Sequence, residues 1–362
     1  MNVLFRVDSS PFIGMGHLVR TLVLAGMLRQ KGATCRFICR DHTDHHSDLV
    51  KMNGFAVHLL PLRETAPVFS ATEYSSWLGA SVEVDALETA SFVKNLNGPE
   101  TNWLVVDHYG ASSEWQRVLR LHCRHLMVID DHAWGIHDCD VLLNQGVVET
   151  ESVSALHTSA NVNRTLLGPQ FALLAPDFSL AWERKKVRNQ PIERVLVAFG
   201  GTDLMGLSLQ ATRACLAVWP EAHVDVMLGA ASHHRSEIED LVRHELRAHL
   251  HVAVQDVCSL MFHADFSVGA AGMMSWERCA TGLPAALVVL ADNQKPILEY
   301  LSSRGAAFHL GEPYHLDVDQ MVATLQGHNL SRLKLADMSS AALGITDGQG
   351  TLRVVAAMEE FE

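Results

Sequence analysis

One local pattern recurs in this chain and limits what it can fold into: a short apolar run, a glycine-bearing loop, then a helix. Val3–Val7 runs into the loop that holds Gly14 and Gly16, after which Leu18, Leu22, Ala25 and Leu28 fall on one helical face that closes at Gly32. Arg194–Phe199 runs into Gly200-Gly201-Thr202, and Leu207–Trp219 follows with helical spacing. Continuous apolar runs of four to eight residues are what a strand covered on both faces looks like. Strands separated by helices must cross over in parallel. Cys35–Cys39, Ala56–Leu60, Trp103–Asp107 and Leu126–Ile129 continue the first series; Val224–Leu228, Phe266–Val268, Ala285–Leu290 and Ala306–Leu310 continue the second.

The reading is therefore α/β, with two Rossmann-like domains facing a cleft. At 362 residues the chain exceeds what one core holds, roughly 250 residues. The first domain is expected over 1–155, the second over 165–345, with a helix over 346–362 returning to the first. Asn161–Gln190, with the charge run Glu183-Arg184-Lys185-Lys186, reads as the connection.

Composition excludes several function classes. A net charge of −13 disfavours a nucleic-acid binder, yet an acidic protein still binds an anionic nucleotide through local backbone N–H groups. Seven cysteines, an odd number without zinc-ribbon spacing, suit reduced thiols in the cytoplasm. Met1–Ser10 reads at once as a strand, and no apolar run reaches the ~18 residues of a spanning helix. A cytoplasmic monomer with no membrane partner is expected.

Candidate chemistry lies where strands end. In Asp8-Ser9-Ser10 through Gly14-Met15-Gly16-His17, the spacing is not that of a dinucleotide fingerprint, because a histidine opens the helix. The positive end of a helix favours neutral imidazole, the form a general base needs. On the residues alone His17 is such a base or no more than a cap of the turn. Val268-Gly269-Ala270-Ala271-Gly272-Met273-Met274-Ser275-Trp276-Glu277 is again strand, small-residue loop and helix, suited to a diphosphate at Ala271, Gly272, Met273 and Met274. Glu277 could accept ribose hydroxyls or simply favour the helix start. Gly201 and Thr202 form a third such loop. Asp107-His108-Tyr109-Gly110 and Asp292-Asn293-Gln294 follow strands and read as substrate contacts.

Three acidic stretches read otherwise. Asp138-Cys139-Asp140 has a metal-binding look, but its place before Val141-Leu142-Leu143 reads as a strand-entry turn. Asp41–His46 reads as a solvated helix start, and Asp130-Asp131-His132 as a floor for the cleft. No metal or cofactor is expected.

The ordered blocks FRVDSSPFIGMGHLVR, VVDHYG, DDHAWGIHDCDVLLNQ, LLGPQFALL, VLVAFGGTD, GAAGMMSWERCATGLP and LADNQ together resemble the UDP-2,4-diacetamido-2,4,6-trideoxy-β-L-altropyranose hydrolases of pseudaminic acid biosynthesis, which are similar to the glycosyltransferase that makes lipid II. The likeness runs from Met1 to about Gly311. It implies a GT-B fold and a UDP-sugar substrate, cleaved to UDP and free sugar. It further implies His17 as general base, Tyr109 and Asn293 beside the sugar, and UDP on the Ala271–Glu277 segment. Asp8 or Asp107 would orient the imidazole. Where the family carries a small-hydroxyl pair such as Ser-Thr, this chain has Met273-Met274, which keeps backbone N–H groups and lacks two hydroxyl donors. The competing readings are a glycosyltransferase using a UDP-amino sugar, a hydrolase for a related sugar, and a nucleotide-sugar sensor.

Overall fold

Seven parallel strands make the first sheet of the computed structural model, in the order β3-β2-β1-β4-β5-β6-β7. They are β1 (Asn2–Val7), β2 (Thr34–Arg40), β3 (Ala56–Leu60), β4 (Trp103–Asp107), β5 (His125–Ile129), β6 (Asp138–Asn144) and β7 (Asn161–Leu167). The structure describes residues 1–63, 74–96, 101–132, 136–147, 161–201, 203–229 and 232–362. The chain divides into two units: Met1–Leu173 with Gly350–Glu362, and Leu174–Gln349.

In the first unit the strand pleat sorts side chains to two faces. Val3, Phe5 and Val7 join Leu18, Leu22, Ala25 and Leu28 of the helix Gly16–Gln30, together with Val354, Val355 and Met358 of the helix Gly350–Glu359. Gly350 admits that last helix: a side chain there would lie 2.2 Å from the Ala172 carbonyl oxygen. Leu4 faces the other way, among Leu104, Val106, Trp115 and Leu119.

Arg6 shares that second face and is fully buried in the middle of an apolar strand. It is tolerated because it lies between Asp8 (2.5 Å) and Asp85 (2.6 Å), and Asp85 also takes Arg40 (2.5 Å) and the Trp115 indole N–H (2.8 Å). Buried charges survive only when paired in this way.

The second sheet is also parallel throughout, in the order β10-β9-β8-β11-β12-β13. Its strands are β8 (Arg194–Ala198), β9 (His223–Leu228), β10 (Ala248–Val252), β11 (Phe266–Ala270), β12 (Ala285–Val288) and β13 (Ala307–His309). Val195 and Val197 pack against Leu207, Ala211 and Cys215 of the helix Leu207–Val218 and against Met321 of the helix Val318–Gly327.

The strand order decides where ligands can sit. Each sheet reverses direction once, at β1/β4 in the first and at β8/β11 in the second. Crevices in open parallel sheets lie at the carboxyl ends of the strands beside that reversal.

Three expectations are corrected. Asn161–Leu167 is not a connection but the edge strand β7, paired with β6 from Asp138↔Asn161 to Asn144↔Leu167. Its polar residues stand at a sheet edge, which hides the strand from an apolar search. Asp138 and Asp140 are not a turn but lie within β6; Asp140 accepts from the Leu126 amide (2.8 Å), Arg120 (3.0 Å) and Asn163 (2.9 Å). His42, in the stretch read as solvated, is buried with its Nε2 3.6 Å from Asp8.

Candidate active site

His17 is the second residue of the helix Gly16–Gln30, set by the loop that leaves β1. Gly14 has φ +79° and its amide donates to the Ser10 carbonyl at 2.8 Å, which folds the loop back before the helix begins. β4 ends at Asp107 next to β1, with Val7 paired to Asp107 across the reversal. The Nδ1 of His17 lies 2.6 Å from Asp107 Oδ1.

Asp107 is buried and also receives Arg20, through Nε to Oδ2 (2.6 Å) and Nη2 to Oδ1 (2.6 Å). Burial by itself would raise this carboxyl, but the Arg20 charge and His17 outweigh it and hold it at about 2. An ionised carboxylate only accepts, so Nδ1 carries the proton. Arg20 Nη2 at 3.2 Å from Nδ1 is then a close approach rather than a bond. Nε2 has no partner among the described residues, on a side chain 11% exposed. The tautomer is thus assigned from the network around it.

The same guanidinium donates through Nη1 to Asp131 Oδ2, which also accepts the Tyr109 hydroxyl at 3.0 Å. Burial and the Asp131 charge push the Tyr109 phenol well above its ordinary value, so it stays protonated. The Tyr109 ring meets the His17 ring edge-on at 4.7 Å.

Asp107, not Asp8, orients the imidazole. Asp8 is fully buried and spent on Arg6, on the Arg40 amide (2.6 Å) and on His108 (3.3 Å), so it is not placed to touch a ligand. Arg20 and Asp131 complete the cluster and were not singled out from the sequence as members of it. Arg20 had a signal: three residues after His17 on a helix, it shares the histidine's face.

At the second reversal, the loop after β11 offers donors. Ala271 is buried and its amide is taken by the Val288 carbonyl (2.9 Å). The amides of Gly272, Met273 and Met274 have no acceptor among the described residues. Arg278, on the helix that follows, is fully buried and donates to Ser267 Oγ (3.0 Å) and to the carbonyls of Ala270 (3.0 Å) and Ala198 (3.2 Å). Gly269 makes room for it, since a side chain there would lie 2.0 Å from the Ala198 oxygen and 2.5 Å from the guanidinium. Glu277 is half-buried without a partner among the described residues, and burial pushes its carboxyl up to about 7.

The loop after β8 is differently occupied. The Gly201 carbonyl accepts the Gly229 amide (3.0 Å), and the Asp203 carboxylate takes the Leu207 (3.1 Å) and Ser208 (3.0 Å) amides at the helix start. An anion there would meet a carboxylate already in place. Thr202 lies outside the described residues. Asn293 is exposed in the turn Asp292–Gln294, while its neighbour Gln294 stands over the glycine loop, 3.6 Å from where a Gly272 side chain would begin. None of the described helices is long and apolar enough to cross a membrane.

No family model matches the chain. Across 100% of its length it is 22% identical to a spore coat polysaccharide biosynthesis protein of Bacillus subtilis, covering 98% of that protein. It is 26% identical over 58% of its length to the UDP-2,4-diacetamido-2,4,6-trideoxy-β-L-altropyranose hydrolase of Campylobacter jejuni. It spans 64% of that hydrolase, and 62% of an uncharacterised protein of Methanocaldococcus jannaschii that it matches at 20% identity over 88% of the chain. Among solved structures it is similar to MurG of Acinetobacter baumannii (TM-score 0.67, 13% identity, 99% of both chains). It is also similar to a UDP-GlcNAc 2-epimerase of Neisseria meningitidis bound to UDP-GlcNAc (TM-score 0.62, 12% identity, 99% of this chain and 100% of that one). The chain has a GT-B fold and resembles in sequence the UDP-2,4-diacetamido-2,4,6-trideoxy-β-L-altropyranose hydrolases.

Proposed function

We propose that this protein hydrolyses UDP-2,4-diacetamido-2,4,6-trideoxy-β-L-altrose to UDP and the free sugar, by inverting attack of water at C1, as a cytoplasmic step of pseudaminic acid biosynthesis. The observation that carries the proposal is the His17–Asp107 pair at 2.6 Å, which occupies Nδ1 and leaves Nε2 without a partner among the described residues beside the strand reversal. Nε2 takes a proton from water as the C1–O bond breaks. Asp107 holds Nδ1–H in place and stabilises the imidazolium, as the carboxylate does in other oriented histidine bases.

UDP leaves without an added acid, because its charge is already spread over the diphosphate. That is the difference from glycosidases, which protonate an ordinary alkoxide with a second carboxyl group. The amides of Gly272, Met273 and Met274 hold the diphosphate, with the buried Arg278 charge on the helix that follows. Glu277 accepts from the ribose, and Tyr109, edge-on to the His17 ring, stands by the sugar. No metal enters this scheme. The likeness to the Campylobacter hydrolase supports the substrate, and the UDP-GlcNAc bound to the Neisseria epimerase supports a UDP-sugar on this fold.

The bond that breaks is the test. In ¹⁸O-water the label is expected on the C1 hydroxyl of the free sugar, with UDP unlabelled. NMR before mutarotation is expected to show the inverted anomer. Label in the nucleotide product would mean attack at phosphorus and would overturn the role given to His17.

A further inference from the structure

Five rings form one contiguous wall in the first unit. Tyr74 and Trp77 come from the turn Tyr74–Leu78, Tyr109 from the end of β4, His132 from the end of β5, and His17 from its helix. Tyr74 meets Trp77 at 4.9 Å, Tyr109 at 5.2 Å and His132 at 4.9 Å; Tyr109 meets His132 at 4.3 Å; Trp77 lies 6.4 Å from the His17 ring. Tyr74, Trp77, Tyr109 and His132 are each half-buried, so the wall is neither core nor open surface.

Most of the polar atoms on this wall are already engaged. The Tyr109 hydroxyl donates to Asp131 (3.0 Å), and the Tyr74 hydroxyl is 3.0 Å from His132 Nε2. Asp130 accepts both Nδ1 (3.0 Å) and the backbone amide (2.8 Å) of His132, which sets that ring's tautomer. One donor is left over: the Trp77 indole N–H has no partner among the described residues. Away from that one N–H, a sugar hydroxyl laid on such a surface would lose water and gain little. A methyl group loses nothing there and gains contact with the ring faces. A group that carries a methyl and, two bonds away, a carbonyl acceptor matches both features at once.

We infer that the Tyr74–Trp77–Tyr109–His132 wall is an N-acetyl subsite. The acetamido methyl lies on the rings and its carbonyl oxygen accepts the Trp77 indole N–H. The wall thereby selects N-acylated deoxy sugars over fully hydroxylated ones. This rests on the assignment of a UDP-linked sugar to the site.

The experiment is saturation-transfer NMR with irradiation of the protein aromatic protons. The ligand is UDP-2,4-diacetamido-2,4,6-trideoxy-β-L-altrose, kept uncleaved by using His17→Asn protein. Acetyl methyl protons are expected to receive at least twofold more transfer than the sugar-ring protons. Adding Trp77→Ala should cut that methyl transfer about fivefold while the uracil signals persist, which also shows that the variant is folded. Trp77→Phe keeps the ring and loses the donor, so it should retain most of the methyl transfer but bind about threefold more weakly. Methyl transfer no greater than that of the ring protons, or unchanged by Trp77→Ala, overturns the subsite. Absence of transfer to any ligand proton overturns it too. Failure of wild-type protein to release UDP, with the methyl pattern intact, would overturn the hydrolytic reading and leave the subsite standing.

Discussion

The two units share a parallel fold and solve the problem of buried charge in opposite ways. In the first, guanidinium groups are held by carboxylates: Arg6 by Asp8 and Asp85, Arg20 by Asp107 and Asp131. Burial would lower both guanidinium pKa values, but the facing aspartates outweigh it and raise them. In the second unit, Arg188 and Arg278 bond to backbone carbonyls and one hydroxyl and, among the described residues, to no carboxylate; burial wins, and both fall to about 10. Carboxylates paired with arginine beside a histidine make a place to put a proton. Uncompensated guanidinium on the helix that follows free amides makes a place to put an anion. One topology therefore carries a carboxylate-held histidine at one reversal and, at the other, a loop whose amides have no acceptor among the described residues.

The comparison breaks most readily at His17. His17→Ala is expected to keep its circular dichroism spectrum and Tm while kcat falls by ~10²–10⁴-fold, the usual contribution of a general base. Retention of more than about a tenth of kcat would remove the base from the first unit.

Asp107→Asn is expected to cost on the order of 10²-fold in kcat, because an amide can donate to Nδ1 and so favour the wrong imidazole tautomer. Arg20 would still pack at the imidazole, which makes the loss smaller than that of His17→Ala. A change confined to KM would mean that Asp107 acts on binding alone.

The acids of the two units should also respond to pH in opposite directions. Asp107, held at about 2 in the fold against ~3.9 unfolded, adds stability above pH ~3.9 that is lost as pH falls toward 2. Glu277, at about 7 in the fold against ~4.3 unfolded, does the reverse. The folded protein keeps a proton that the unfolded chain releases, so stability drops as pH rises from ~4.3 to 7 and stays lower above that. Glu277→Gln is therefore expected to be more stable than wild type at pH 8, by roughly 1 kcal/mol after allowing for partial solvent exposure, and equal to it at pH 4. Denaturant midpoints at the two pH values decide; a variant less stable at pH 8 would contradict the uncompensated burial of Glu277.

The smallest effect expected is none. Exhaustive EDTA treatment should leave turnover unchanged, because the free amides and Arg278 can neutralise a diphosphate, and Asp138 and Asp140 are already engaged within the first sheet. A loss restored by Mg²⁺ or Mn²⁺ would show that the second unit's own charges do not suffice.

The alternation of apolar runs and helices was legible because strands covered on both faces must be apolar along their whole length, as Trp103–Asp107 and Val195–Ala198 nearly are. Where one face is polar that signal disappears: β10 reads Ala-His-Leu-His-Val and β7 Asn-Val-Asn-Arg-Thr-Leu-Leu, and neither was visible as a strand. His17 and the Gly272 loop could be named from sequence, since each follows a strand and opens a helix within a few residues. The choice between Asp8 and Asp107 as the partner of His17 could not, because both are carboxylates at strand ends. Only the pairing of β1 with β4 brings Asp107 to the imidazole, while Asp8 is taken by Arg6 two residues before it. The same holds for the ring wall. Tyr74, Tyr109 and His132 are remote in sequence and carry no shared pattern; chain crossovers and packing bring them together, and local spacing does not encode that. Local order follows from residue periodicity, while the electrostatic partners of the site are contacts between distant segments, set by which strands lie side by side.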